Sequence, residues 1–347
     1  MSNRPFRLGI AGVGLISEQS HIPAALGLPG VELVALIDPV TARAAAAART
    51  FRIPARAAAN VAEVAGDLDG LLIASPNNTH ADLACAALER GVHVLIEKPL
   101  EVSVARGERV AEAARKAGRV AAIGYVTRFR DNVLLLKDLI DGSHFGPVLR
   151  YAYQFGTPGG WPSLSAYTLD RSIAGGGVVM VSGTHFIDRA LYLFGMPGGH
   201  RYRDDSLGGP EANACIELHH SVGGHAFTGH VRLSKTVRLT GGLVVETRDG
   251  FLLARESNDT PLRFRPRLRP DLAHDLTSDR DFGYPRGMGV FQRQLRNFVA
   301  ACRGEGTAAV PVEDGLASLR LIESLYRSRE PLAEEPALAA GPTGATA

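Results

Sequence analysis

Through the first third of the chain, short runs of branched apolar residues alternate with stretches that favour helix, and each run breaks off at a polar or glycine-containing turn. Residues 7–11 run into Gly12-Val13-Gly14-Leu15-Ile16-Ser17, and residues 31–37 end at Asp38. Residues 70–75 meet Pro76-Asn77-Asn78, residues 93–96 meet Glu97-Lys98-Pro99, and residues 120–126 form a further run. Runs of Val, Ile and Leu without alternation indicate strands buried on both faces. Helices are expected over 41–49, 79–90 and 103–116, with a capping box at Asn60-Val61-Ala62-Glu63 opening another. Strict strand–helix alternation restricts such a chain to an α/β fold with a doubly wound parallel sheet. Ligands of that fold bind at the carboxyl ends of the strands. The turn after each run is therefore the place to look for chemistry.

The first turn reads G-x-G-x-x-G with Ser17 in the last slot. Gly12 permits the tight strand-to-helix turn. Gly14 lets backbone approach a pyrophosphate lying over the helix N-terminus, where Leu15 and Ile16 begin the helix. Asp38 follows at about the expected twenty-odd residues past the glycines, where a carboxylate takes both hydroxyls of an adenosine ribose and repels a 2′-phosphate. No Arg immediately follows it, so NAD is expected over NADP; its structural alternative is to cap helix 41–49. Ser75, Pro76, Asn77 and Lys98 then share the edge of the pyrophosphate turn. His80 reads as a locally bonded helix-start residue rather than a catalyst. A partly desolvated lysine beside Glu97 can have its pKa lowered towards neutrality and exchange a proton. The alternative for that dipeptide is a surface Glu–Lys pair.

The chain has 347 residues, more than one core usually serves, so two domains are expected. A net charge of +2, with arginines interleaved among acids, offers no case for nucleic acid or membrane partners. Cys85, Cys215 and Cys302 are scattered and odd in number, which points to a reducing cytoplasm without disulfides or structural zinc. No signal peptide or spanning run is read in the sequence. Beyond residue 124 a helix is expected over 132–141 and a strand over 148–155. A Gly/Pro-rich segment, 156–165, carries the only tryptophan, Trp161, as a substrate wall or a passive loop. Hairpins are expected at 212–234 and 239–255, giving an antiparallel sheet. His219, His220, His225 and His230 lack the completing ligands of a metal site. Helices 290–302 and 312–327 close the fold, and residues 335–347 read as a disordered tail.

These motifs resemble the Gfo/Idh/MocA oxidoreductases, the family of glucose-fructose oxidoreductase and inositol dehydrogenase. The resemblance rests on Gly12-Val13-Gly14-Leu15-Ile16, Asp38-Pro39 and Ser75-Pro76-Asn77-Asn78-Thr79-His80. Glu97-Lys98-Pro99, Gly124-Tyr125-Val126-Thr127-Arg128-Phe129, Gly175-Gly176-Gly177 and Gly183-Thr184-His185 extend it. It implies a Rossmann domain over 1–123 and an α+β domain over 124–334, with an open, mostly antiparallel sheet. One face of that sheet would close over the nicotinamide, and the other would form a homodimer or homotetramer. It also implies oxidation or reduction of a sugar or cyclitol hydroxyl, with Lys98 as acid/base and His185 as its partner across the substrate. Without the resemblance, His185 reads as a helix-start histidine bonded to backbone or to Asp188.

Two departures are evident. The family carries an Asp four residues before the His, and here that position is Val181; its common Trp-Arg pair is Tyr167-Thr168. Ser182, Thr184, Tyr125, Tyr153 and Tyr167 are the hydroxyls available instead, and a tyrosine near a lysine can act as a relay if its pKa is depressed. Two alternatives to a dehydrogenase follow. One is an enzyme that retains NAD for redox-neutral elimination, hydrolysis or epimerisation. The other, motivated by Val181, is a non-catalytic nucleotide-binding regulator.

Overall fold

The computed structural model describes residues 4–332, apart from 160–165, 257–259, 279–281 and 286. Its first sheet contains β1 (Phe6–Ala11), β2 (Val31–Ile37), β3 (Arg56–Ala58), β4 (Gly70–Ile73), β5 (His93–Ile96) and β6 (Ala121–Ile123). All pairs are parallel, in the order β3-β2-β1-β4-β5-β6. The order reverses beside β1, so a crevice opens between the carboxyl ends of β1 and β4. Leu8, Ile10, Leu71, Leu72, Val94 and Ile96 are almost wholly buried, as helices on both faces require.

Ladder bonds continue one residue past the strands. Gly12 N–H donates to Ile37 O at 2.8 Å, Ala74 N–H to Ala11 O at 2.7 Å, Glu97 N–H to Ile73 O at 2.8 Å and Gly124 N–H to Ile96 O at 2.6 Å. The turns that follow are thereby set in one row along the sheet's edge. Helices fill the return paths. Val104–Ala117 starts where Ser103 Oγ accepts from Arg106 N–H, and stops at Gly118, whose φ of +60° suits a residue without Cβ.

The second sheet contains β7 (Val148–Gly156), β8 (Gly199–Asp204), β9 (Asn213–Val222), β10 (His225–Ser234), β11 (Leu239–Thr247), β12 (Gly250–Arg255), β13 (Leu262–Pro266), β14 (His274–Leu276) and β15 (Arg329–Pro331). Its order is β14-β13-β12-β11-β7-β10-β9-β8-β15, antiparallel except at β10–β7 and β15–β8. Both expected hairpins form. The sequence does not predict β8, β13, β14 or β15. Phe264 between two arginines, and Tyr202 likewise, leave too few inward apolar residues for a period-two signal. One face packs on helix Thr184–Phe194, with Tyr153 stacked on Phe186 and Tyr151 on Phe194 at centroid separations of 4.0 and 4.3 Å.

One local expectation is corrected. The capping box at Asn60 does not form, because Asn60 Nδ2 donates to the Glu63 side chain at 2.7 Å, and only the 3-10 turn Val61–Glu63 results. Helix Thr184–Phe194, with His185 in its first turn, follows a π turn over Val179–Gly183.

The last helices return to the first sheet. Phe298, in helix Val290–Cys302, meets Phe6 edge-on at 6.1 Å within the cluster of Leu8, Ile10 and Leu36. Helix Val312–Arg327 packs between Val104–Ala117 and Thr184–Phe194. We propose the break after Ile123 as the domain boundary, with these two helices bridging it; the expected tail lies outside the described residues.

Phe298 is 1% exposed, so Phe298→Ala should cost about 3–5 kcal/mol in denaturant unfolding. Leu207→Ala, at a fully exposed site, should stay within about 0.5 kcal/mol.

Candidate active site

The glycine turn has the shape its motif requires. Gly12 has φ +90°, and a Cβ there would lie 2.4 Å from Ala74 O and 2.7 Å from Ser75 N, so no side chain fits. A Cβ on Gly14 would meet nothing within 4 Å, which leaves open space over the helix N-terminus. Ser17 Oγ donates to Gly12 O at 2.6 Å and locks the turn. Ile16 is 39% exposed at its rim. Buried Asp38 accepts from Val13 N–H at 3.1 Å and Val40 N–H at 2.9 Å, so it braces the glycine turn rather than acting as the N-cap of helix Thr41–Thr50. The sequence reading missed Arg43, whose Nη1 lies 3.1 Å from Asp38 Oδ2 one helical turn into that helix. These residues fit a dinucleotide: an open cradle at Gly12–Gly14 and a carboxylate at the end of the neighbouring strand.

Ser75 and Pro76 line the neighbouring turn, half-buried and exposed respectively. Asn77 is buried and donates to Ala174 O at 2.9 Å, tying this turn to the segment before the triple glycine. His80 is wholly buried, with Nδ1 2.9 Å from Pro99 O and Nε2 2.9 Å from Ser75 O. It pins the two turns together, in keeping with its reading as a locally bonded residue.

Glu97 and Lys98 project from the end of β5. The Glu97 carboxylate lies 2.8 Å from His21 Nε2 and accepts Lys98 N–H at 3.1 Å. Burial would raise its pKa, but the His21 bond and the Lys98 charge hold it below the usual value. His21 is a second residue the sequence reading missed. It hangs from a π turn, Ser17–His21, which carries no motif signal. Lys98 Nζ donates to the Val181 carbonyl at 3.0 Å. Burial pulls its pKa below the ordinary lysine value, and Glu97 opposes that pull. The surface-pair reading of Glu97-Lys98 is thereby corrected.

His185 is half-buried, and its Nδ1 has no hydrogen-bond partner. Burial, then the charges of Lys98, Arg189 and Arg130, hold the ring well below its ordinary pKa, so it is neutral at pH 7. Asp188 does not serve it. Both Asp188 oxygens are taken by Arg128, at 2.8 Å from Nε and 2.5 Å from Nη2, and Arg128 Nη1 also binds Asp314 at 2.6 Å. A tyrosine relay, one of the options left open by the sequence, would need a depressed phenol. Burial raises the phenols of Tyr125, Tyr153 and Tyr167 instead of depressing them. Tyr125 and Thr184 are spent on each other at 2.8 Å. Tyr167 is half-buried within electrostatic reach of Glu97, and Ser182 is half-buried beside Val181. Trp161 lies outside the described residues. A cavity among Arg4, Leu68, Asp69, His93 and Cys302 opens at the opposite, amino edge of the sheet and shares none of these groups.

Fold and edge together define a dinucleotide-binding α/β protein with a second, mostly antiparallel sheet. Residues 6–125 match the family model described as "Oxidoreductase family, NAD-binding Rossmann fold", so this part of the chain is similar to the dinucleotide-binding domain of the Gfo/Idh/MocA oxidoreductases. It is 36% identical over 146 residues to inositol 2-dehydrogenase of Salmonella paratyphi B, covering 41% of this chain and 44% of that one. It is 32% identical over 191 residues to the rhizopine catabolism protein MocA of Rhizobium meliloti, covering 55% and 57%. The chain thus spans about half the length of the curated relatives it matches. The fold is shared over 94% of this chain and 97% of the other with an aldose-aldose oxidoreductase from Caulobacter crescentus, at TM-score 0.82 and 23% identity.

Gly12 and Gly14 can be separated by experiment. Gly12→Ala should lower stability by more than ~1 kcal/mol, because strain and contact act together. Gly14→Ala should leave the melting temperature unchanged yet weaken NADH binding, read by fluorescence titration.

Proposed function

We propose that the protein is an NAD(H)-dependent oxidoreductase, acting in the cytoplasm, that interconverts a secondary alcohol and a ketone on a sugar, sugar derivative or cyclitol. The observation that carries this reading is the half-buried Lys98 ammonium, bonded to the Val181 carbonyl and within electrostatic reach of Glu97, on the edge that holds the glycine turn. Gly12, Gly14, Leu15, Ile16, Asp38, Ser75, Pro76, Asn77 and Glu97 would hold the dinucleotide, with His80 bracing the turns. Bound there, a nicotinamide would supply the hydride acceptor or donor. Lys98 accepts the hydroxyl proton during oxidation and returns it during reduction. Neutral His185 hydrogen-bonds the same hydroxyl and orients it, with Tyr167 and Ser182 on the surrounding wall and Tyr125 behind them in the core. The Val181 carbonyl anchors the Lys98 ammonium although position 181 carries no carboxylate, which favours an enzyme over a silent nucleotide-binding regulator. We propose self-association through the second sheet.

For the cofactor, Asp38 favours NAD, but Arg43 at 3.1 Å partly neutralises it and offers a 2′-phosphate a cation. Arg43→Ala should therefore raise the NAD-to-NADP ratio of kcat/KM about two- to fivefold, the value of one exposed ion pair of ~0.4–1 kcal/mol.

Lys98→Ala should abolish turnover and spare NADH binding, and normal turnover by this variant would refute the assigned base. The pH profile has a definite sign. The amine form is the base, and burial lowers the pKa from 10.5, so kcat/KM for oxidation should rise with pH through a midpoint below that value. The rate of reduction, which needs the ammonium, should fall through the same midpoint. Lys98→Arg, protonated throughout, should lose the rising limb.

A further inference from the structure

Arg189 follows His185 by one helical turn on the same face of helix Thr184–Phe194. It is 1% exposed, in a chain whose arginines are mostly at the surface. Its Nη1 binds Glu256 at 2.5 Å, while Nε and Nη2 are shielded from solvent and meet no acceptor. Those two donors form the side-on edge of the guanidinium, which receives a carboxylate through two parallel bonds. The chain uses this same edge elsewhere: Arg128 gives Nε and Nη2 to Asp188, Arg115 gives them to Glu112, and Arg263 to Asp275. At Arg189 the edge is empty. Buried donors left unpaired are costly, so a built fork without an acceptor points to a ligand that brings one.

The local charge favours an anion as well. Glu256 is shared, because Arg130 Nη1 also binds it at 2.5 Å, so one carboxylate faces two guanidiniums. With Lys98 and Glu97 included, three cations stand against two anions around a neutral His185. Tyr153 lies under the Arg189 guanidinium, 5.6 Å from its ring centroid, and stacks on Phe186 to hold that side chain in place.

We propose that the substrate carries a carboxylate, as an aldonic or uronic acid does, and that Arg189 receives it through Nε and Nη2 while His185 meets the reacting hydroxyl. This rests on the dehydrogenase reading for the reaction but not for the binding, and the two can be tested apart. The matched pairs D-glucuronate/D-glucose, D-galacturonate/D-galactose and D-gluconate/sorbitol should be assayed with NAD and NADP. The acid of at least one pair should be favoured by about tenfold or more in kcat/KM, the worth of one bidentate charge-assisted contact. Arg189→Lys keeps a cation for Glu256 and removes the fork, so it should erase most of that preference, lowering kcat/KM for the acid about tenfold more than for its neutral partner. Calorimetric titration of the three acids into NADH-saturated protein reads binding without turnover. Acids that bind but never reduce the nicotinamide would sink the dehydrogenase reading and keep this one. Neutral partners used equally well or better, no acid bound, or an Arg189→Lys protein of unchanged melting temperature and acid affinity would each overturn it. Should Arg189→Lys fail to fold, the wild-type pairs and titrations decide.

Discussion

An ammonium taken out of water must recover its lost hydration from the protein, and at Lys98 that recovery is incomplete. It has one nearby carboxylate, Glu97, and one backbone dipole, the Val181 carbonyl at 3.0 Å. A carbonyl stabilises a cation less than a second carboxylate would. With valine rather than an acid at position 181, the lysine keeps a backbone anchor but has a weaker hold on its proton. The amine form is nearer to reach at neutral pH, which suits a base. The departure that most threatens an enzymatic reading in the sequence thus has a chemical use in the structure.

Both contacts that hold this pair come from widened helical turns. The π turn Ser17–His21 carries His21 onto Glu97, and the π turn Val179–Gly183 brings the Val181 carbonyl to Lys98. An inserted residue in a helix re-aims the groups on that turn, at a cost in backbone hydrogen bonding that persists where something is gained. The two turns approach from opposite sides, one from the glycine loop and one from the helix facing the second sheet. Glu97 and Lys98 are clamped where those two parts of the chain meet.

What could be read in advance follows from how local each signal is. The parallel sheet was legible because runs such as Val94–Ile96 carry their burial in their own composition, and Gly12 because its backbone demands are met within its own turn. His21, Arg43 and Arg189 were not legible. Each acts through a partner far along the chain or through the particular rotation of a helix. The separation of 76 positions from His21 to Glu97 carries no spacing rule. Tyr125 illustrates the opposite failure. A tyrosine near a lysine invites a relay, but its depth in the core and its bond to Thr184 raise the phenol instead. Burial, which sequence spacing does not report, decides the sign.

Asp188 shows how the same helix assigns two roles by rotation. Spaced three residues apart, it and His185 are natural partners. Yet Arg128 occupies both carboxylate oxygens and adds Asp314, so this ion network is closed on itself and clamps the helix to the segment after β6. His185 is left without an acid. A histidine paired to Asp188 would be driven toward its charged form beside Lys98, and two cations would then compete for one hydroxyl. Kept neutral, it can hydrogen-bond the hydroxyl without drawing the proton away from the lysine. The structural ion pair thereby fixes the division of labour at the site: one residue moves the proton, and the other holds the atom from which it leaves.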